Sequence, residues 1–219
     1  MAQQNWRNTS QYLLPSTVTP TDVGKYDVYP TFPAGNNKIH TGFSALANLI
    51  AKQQAKTVII DGYGGVFWDH FRSQLEAELS KHNSQRTWID VQSAMKSEQE
   101  IDVMLAPFLG GDDPLFGTRF TGDLRDFFHP EKLNDLSQQV TQNTILYGSG
   151  SALVDVQDAF IIYVDVPKNE IQFRSRAGSI KNLGRSDVSN PKTMYKQFYF
   201  VDWVALNKHK CDLLSRIDC

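Results

Sequence analysis

From Gly42 to Gln54 the apolar residues Phe43, Leu46, Leu49 and Ile50 recur at helical spacing, and through Lys56 the pattern changes into an apolar run, Thr57 to Asp61, of strand character. A glycine-rich turn follows, and then an amphipathic stretch as far as Leu79, so the run TVIIDGYGGVFWDHFRSQLEAEL predicts strand, loop and helix in succession. Thr87 to Val91 predicts a second strand. Ser97-Glu98-Gln99-Glu100 is a capping-box pattern ahead of Ile101, Met104 and Leu105, which starts a short helix that stops before Pro107. Polar helical turns are expected from Asp123 to Val140, strands at Thr144 to Tyr147 and Phe160 to Val166, and a helix at Asn169 to Arg176 ending at Gly178. Phe198 to Trp203, aromatic and apolar, predicts a last strand, and Ala205 to Ile217 a closing helix. Strands alternating with helices imply an α/β fold with a mostly parallel sheet and helices on both faces.

The first 38 residues break this pattern. Pro15, Pro20, Pro30 and Pro33 remove backbone donors and favour extended conformations, so residues 1–38 read as an arm ahead of a single α/β domain at 39–219. Its aromatic residues predict that Tyr26 to Phe32 docks on the domain while the first dozen residues fray.

Composition narrows the function classes. A hydrophobic content of 41% and a net charge of −2 describe an ordinary globular chain with no basic excess to hold nucleic acid or an anionic membrane. No apolar run approaches the roughly 20 residues of a membrane span, and the N-terminus lacks a signal pattern, so the expected location is the cytoplasm. Cys211 and Cys219 form no metal-binding pair, and His40, His70, His82, His129 and His209 show no ligand spacing, so no metal site is predicted.

The candidate chemistry lies in the glycine-rich turns. Asp61-Gly62-Tyr63-Gly64-Gly65 stands between strand and helix, where a phosphate-binding loop would, and Gly62, Gly64 and Gly65 either bring backbone close to a ligand or simply make a tight turn. A Walker A loop ends in Gly-Lys-Ser/Thr, whose lysine reaches the phosphates and whose hydroxyl holds magnesium; counted from Gly62, those places hold Phe67, Trp68 and Asp69. The helix N-terminus still favours an anion, but catalysis of phosphoryl transfer by positioning and charge neutralisation loses its cation. The fold class is therefore P-loop-kinase-like with a degenerate Walker A.

Asp61 could contact magnesium or a hydroxyl, or cap the helix. Gly148 and Gly150 open like a dinucleotide fingerprint, but Leu153 takes the third glycine's place and the run to the next strand is too short for a Rossmann helix; a tight crossover near the ligand crevice is the better reading. Asp112 and Asp113, flanked by Gly110 and Gly111, suit magnesium, sugar hydroxyls or a plain turn. Arg119, Arg125, Arg174 and Arg176, with Lys168 and Lys181, could gather as phosphate clamps or cover solvated helix faces. The aromatic set from Phe127 and Phe128 to Tyr195, Phe198, Tyr199, Phe200 and Trp203 reads as core or interface.

The blocks IIDGYGGVFWDHFRSQL, PFLGGDDPLFG, DFFHPEKL, YGSGSAL, VDVPKNEIQFRSRAG, PKTMYKQFYFVDW and LNKHKCDLLSRID, spanning about Tyr26 to Asp218, resemble the N-terminal region of long bacterial class I mannose-6-phosphate isomerases. More distantly, YGSGSALVDVQDAFIIYVDVPKNEIQFRSR is similar to uridine-kinase-like P-loop enzymes, which would place Arg174 and Arg176 in a lid and Gly62 to Gly65 in the phosphate loop. The first resemblance implies a link to mannose-6-phosphate metabolism and a sugar-phosphate isomerase (cupin) domain or subunit as partner; the zinc-binding cupin half has no counterpart in these residues. A phosphorylated small molecule is the other expected partner. No motif specifies a cofactor, and a nucleotide with magnesium is what the loop type would take. Two readings stand: a catalytically silent accessory domain that binds a phosphorylated ligand or docks a partner, and an active sugar or nucleoside kinase in which Arg125, Arg174 or Arg176 replaces the lysine and Asp61 or Asp112 holds magnesium.

Overall fold

Val58, Ile59, Ile60, Asp61 and Gly62 are all buried, which only a strand covered on both faces and flanked on both edges permits. This is β1, at the centre of a four-stranded sheet. The computed structural model describes residues 5–10, 24, 34–36, 38–53, 56–82, 85–111, 113 and 115–219. The other strands are β2 (Thr87–Asp90), β3 (Thr144–Tyr147) and β4 (Phe160–Val164), and the order β2-β3-β1-β4 is parallel throughout.

Alternation along β1 divides the core. Val58 and Ile60 join Ile145 and Ile162 beneath two helices, α1 (Gly42–Ala51) and α2 (Trp68–Ser80), which contribute Ala47, Ile50, Leu75 and Leu79. Ile59 points the other way, with Leu146 and Ile161, into a larger layer. That layer is built by α3 (Glu98–Leu105), α4 (Pro130–Gln139), α5 (Lys168–Arg176), α6 (Pro191–Gln197) and α7 (Trp203–Leu213). The expected capping box is present: Ser97 accepts from the Glu100 N–H, and the Glu100 carboxylate accepts from the Ser97 N–H. Among the described residues no helix is long and apolar enough to cross a membrane.

Two expectations are corrected. The strand expected at Phe198 to Trp203 is a π-helical segment, Phe198–Asp202, that joins α6 to α7 in one helical rod. Asn190 caps the rod by accepting from the Thr193 N–H, and Pro191 occupies its first turn, so local helix signals override the strand-like aromatic composition. The first dozen residues also do not all fray. Trp6 packs on Phe67 with ring centroids 4.9 Å apart, Arg7 pairs with Glu170 at 3.0 Å, and the Asn8 N–H donates to the Phe173 carbonyl at 2.9 Å. The expected docking of Tyr26 to Phe32 lies outside the described residues.

Candidate functional site

A cleft of about 760 Å³ opens at the carboxyl ends of the strands, where open α/β sheets meet their ligands. One wall is the loop from Gly64 to Asp69, another is Asp90 and Lys96 beyond β2, and Ser149 forms the floor beside the turn after β3. A strap from Ser179 to Ser186 and the side chains of Phe198 and Asp202 complete it, with Trp6 at the rim.

The loop after β1 has four donors without an acceptor among the described residues. Gly62 N–H donates to Asp61 at 2.6 Å and Tyr63 N–H to the Val164 carbonyl at 2.9 Å, whereas the N–H groups of Gly64, Gly65, Val66 and Phe67 donate to no acceptor among the described residues. Gly65 takes φ +84°, and Arg174 holds its carbonyl at 2.7 Å while lying 4.3 Å from the centroid of the Phe67 ring. Consecutive backbone N–H groups beside a helix start form an anion-seeking concavity. Opposing this, Asp69 sits in the first turn of α2 and lines the cleft, so a fixed negative charge already answers the helix dipole. Trp68, at the lysine's place, folds beneath the loop: a Cβ added to Gly62 would lie 2.9 Å from its indole.

The turn after β3 contrasts in its use of amides. Asp61 Oδ1 accepts from Gly150 N–H at 2.9 Å, and Oδ2 accepts from Ala152 N–H at 2.9 Å and lies 2.7 Å from His209 Nε2. With the Gly62 N–H this fills the roughly four acceptor positions of a carboxylate, and Asp61 is wholly buried. The expected contact of Asp61 with magnesium or a hydroxyl is therefore corrected: it ties β1, the second glycine turn and α7 together. Gly148, at φ +115°, packs so closely that a Cβ would meet Val91 at 2.9 Å. A 3-10 turn, Ser151–Leu153, replaces the Rossmann helix.

The basic residues do not gather. Arg174 braces the glycine loop from behind and is ion-paired with Glu170 at 3.1 Å. Arg125 donates to the Leu153 carbonyl at 3.2 Å, Lys168 stands over the Trp203 ring, and Arg176 opens onto a different cavity. Lys181 lines the cleft but donates to the Ser186 carbonyl. Asp113 is a turn residue that accepts from the Leu115 and Phe116 N–H groups, which hold its carboxyl below the usual range. Asp112 and Pro114 lie outside the described residues.

Three cleft residues escaped the motif search. Lys96, half-buried, has no carboxylate within ion-pair distance among the described residues, and it follows the second strand without a motif to mark it. Asp90, at the end of β2, has its carboxyl pushed up chiefly by burial although it accepts from the Gln92 N–H at 2.8 Å. Asp202 is completely buried and is pushed up to about 7 by desolvation, against the donors Asn182 Nδ2 at 2.7 Å, Gln197 Nε2 at 3.2 Å and Leu183 N–H at 3.2 Å. Through Asn182 and Leu183 it anchors the strap, which Arg185 also ties down at Asp102, Glu98 and Gln197.

A family model described as Domain of unknown function (DUF8485) matches residues 42–219. A solved Silicibacter sp. TM1040 protein that carries the name fructose transport system kinase is similar in fold, with a TM-score of 0.50 at 13% identity over 78% of this chain and 95% of that one. No curated protein matches the chain. The α/β fold is thus kinase-like, while neither the family description nor the neighbour's name contains an isomerase.

Proposed function

Because the chain belongs to the family described as Domain of unknown function (DUF8485), a description that assigns no activity, we propose from its cleft that it is a kinase-like domain that holds a phosphorylated small molecule or nucleotide without transferring a phosphoryl group. One observation carries this reading: among the described residues the N–H groups of Gly64 to Phe67 have no acceptor and border a 760 Å³ cleft, while Trp68 and Asp69 stand where a phosphate-transferring loop needs lysine and a hydroxyl. Lys96 supplies the one cleft cation, among the described residues, that no protein oxygen engages. It is a suitable seat for a phosphate, and Asp90 is a suitable acceptor for a hydroxyl.

The name of the solved neighbour and the sugar-phosphate isomerase resemblance both direct the ligand panel toward hexose phosphates. Calorimetry with fructose 6-phosphate, mannose 6-phosphate, ATP and ADP, with and without magnesium, is expected to give weak binding to at least one, with no turnover in a phosphotransferase assay over the same panel. Binding by none at millimolar concentration would sink the proposal.

A second reading, an active sugar or nucleoside kinase, is favoured by Asp202 titrating near neutrality on the cleft wall. It requires measurable phosphoryl transfer that is lost in Asp202→Asn and Lys96→Met. Association with a cupin isomerase module is a separate proposal, checked by co-elution with that module and contradicted by independent elution.

A further inference from the structure

A second cavity, of about 410 Å³, shares Phe198 with the first cleft but none of the glycine-loop residues, and lies between α5, α6 and the segment carrying Leu115. Its volume is in the range that small organic ligands fill. Lys196 lines it and is only 7% exposed, yet its ammonium donates to the Asp113 main-chain carbonyl and to no other acceptor among the described residues. An ammonium carries three donors, so among the described residues two remain for a molecule in the cavity.

Arg176 and Lys192 line the same cavity. The Arg176 guanidinium lies over the Phe173 ring, 6.0 Å from its centroid, and no carboxylate side chain lines the cavity among the described residues. The Asp113 carboxylate is already engaged by two backbone N–H groups. The remaining lining is largely apolar, with Tyr195, Phe198, Pro191 and Leu115; Tyr195 and Leu115 are 47% and 61% exposed. Three cationic residues lining a mostly apolar hollow, one of them nearly buried and held by a single carbonyl among the described residues, complement an anion attached to an apolar body.

We infer that this cavity is a second ligand site, independent of the glycine loop, for a small organic anion whose charged group is seated by Lys196 and Arg176 and whose apolar or aromatic body lies on Tyr195 and Leu115. Sulfonate, carboxylate and phosphate share this chemistry, so the test uses matched dyes: anilinonaphthalene sulfonate and the uncharged phenylnaphthylamine, titrated by fluorescence into the full chain. The anionic dye is expected to bind about tenfold tighter than the neutral one, and Arg176→Gln and Lys196→Met are each expected to weaken the anion about fivefold while leaving the neutral dye unchanged. Lys96→Met, in the cleft, is expected to change neither. Arg176 is exposed, so its variant keeps the test decisive if Lys196→Met does not fold. Equal affinity for the two dyes, indifference of the anion to Arg176→Gln, or loss of binding in Lys96→Met would overturn the inference.

Discussion

The turns after β1 and β3 are both glycine-rich, both follow buried parallel strands and both reach the same cleft, yet they use their backbone donors in opposite ways. Gly150 and Ala152 give their N–H groups to the buried carboxylate of Asp61, while those of Gly64 to Phe67 have no acceptor among the described residues. Glycine content alone therefore does not mark a ligand site. What separates the two is how far an internal acid satisfies the donors: among the described residues the turn after β3 keeps a single unengaged N–H, that of Ser149, whereas the turn after β1 leaves four in a row.

The largest effect that could break this contrast is on stability. Asp61→Ala removes a buried carboxylate that engages three backbone N–H groups and His209, and leaving those buried donors unpaired is expected to cost about 3–5 kcal/mol in equilibrium denaturation. A loss of under about 1 kcal/mol would mean that the second turn does not depend on it.

Next comes a pH dependence. The Asp202 carboxyl rises from 3.8 to about 7 on folding, so between about pH 4 and 7 the folded state binds the extra proton and stability falls as pH rises; below that window the stability is fully present, and above it the loss is complete. Thermal unfolding of Asp202→Asn is expected to show a flatter pH profile than wild type across this window. Parallel profiles would show that Asp202 does not titrate there.

Smaller effects sharpen the ligand side of the comparison. Lys96→Met is expected to weaken binding of a phosphorylated ligand about tenfold in calorimetry, the loss of one charge-assisted contact. Asp69→Asn is expected to strengthen it about threefold, because a carboxylate no longer occupies the positive end of α2. An unchanged affinity in both would place the anion elsewhere.

Hydrophobic periodicity was enough to foresee all four strands and the parallel layering, because buried parallel strands write continuous apolar runs such as Val58 to Ile60. It failed at Phe198 to Trp203, whose strand-like composition lies inside a helical rod started by Asn190 and Pro191; the cap was the signal that outweighed the aromatic residues. With the rod misread, Asp202 had no reason to stand out. Gly64 and Gly65 line the cleft, but the fate of Asp61 was not legible, since its partners Gly150, Ala152 and His209 lie 89 to 148 residues away. Arg174 and Arg176 sit two residues apart on one helix and so face different directions, one toward the loop and one toward a second cavity.

The most direct measurement is an amide NMR titration with ADP and with fructose 6-phosphate, resolved at the two turns. Shifts at Gly64, Gly65, Val66 and Phe67 with Gly150 and Ala152 unmoved are what the assignment of donors predicts. Equal shifts at Gly150 and Ala152, or no shift in the turn after β1 with either ligand, would contradict it.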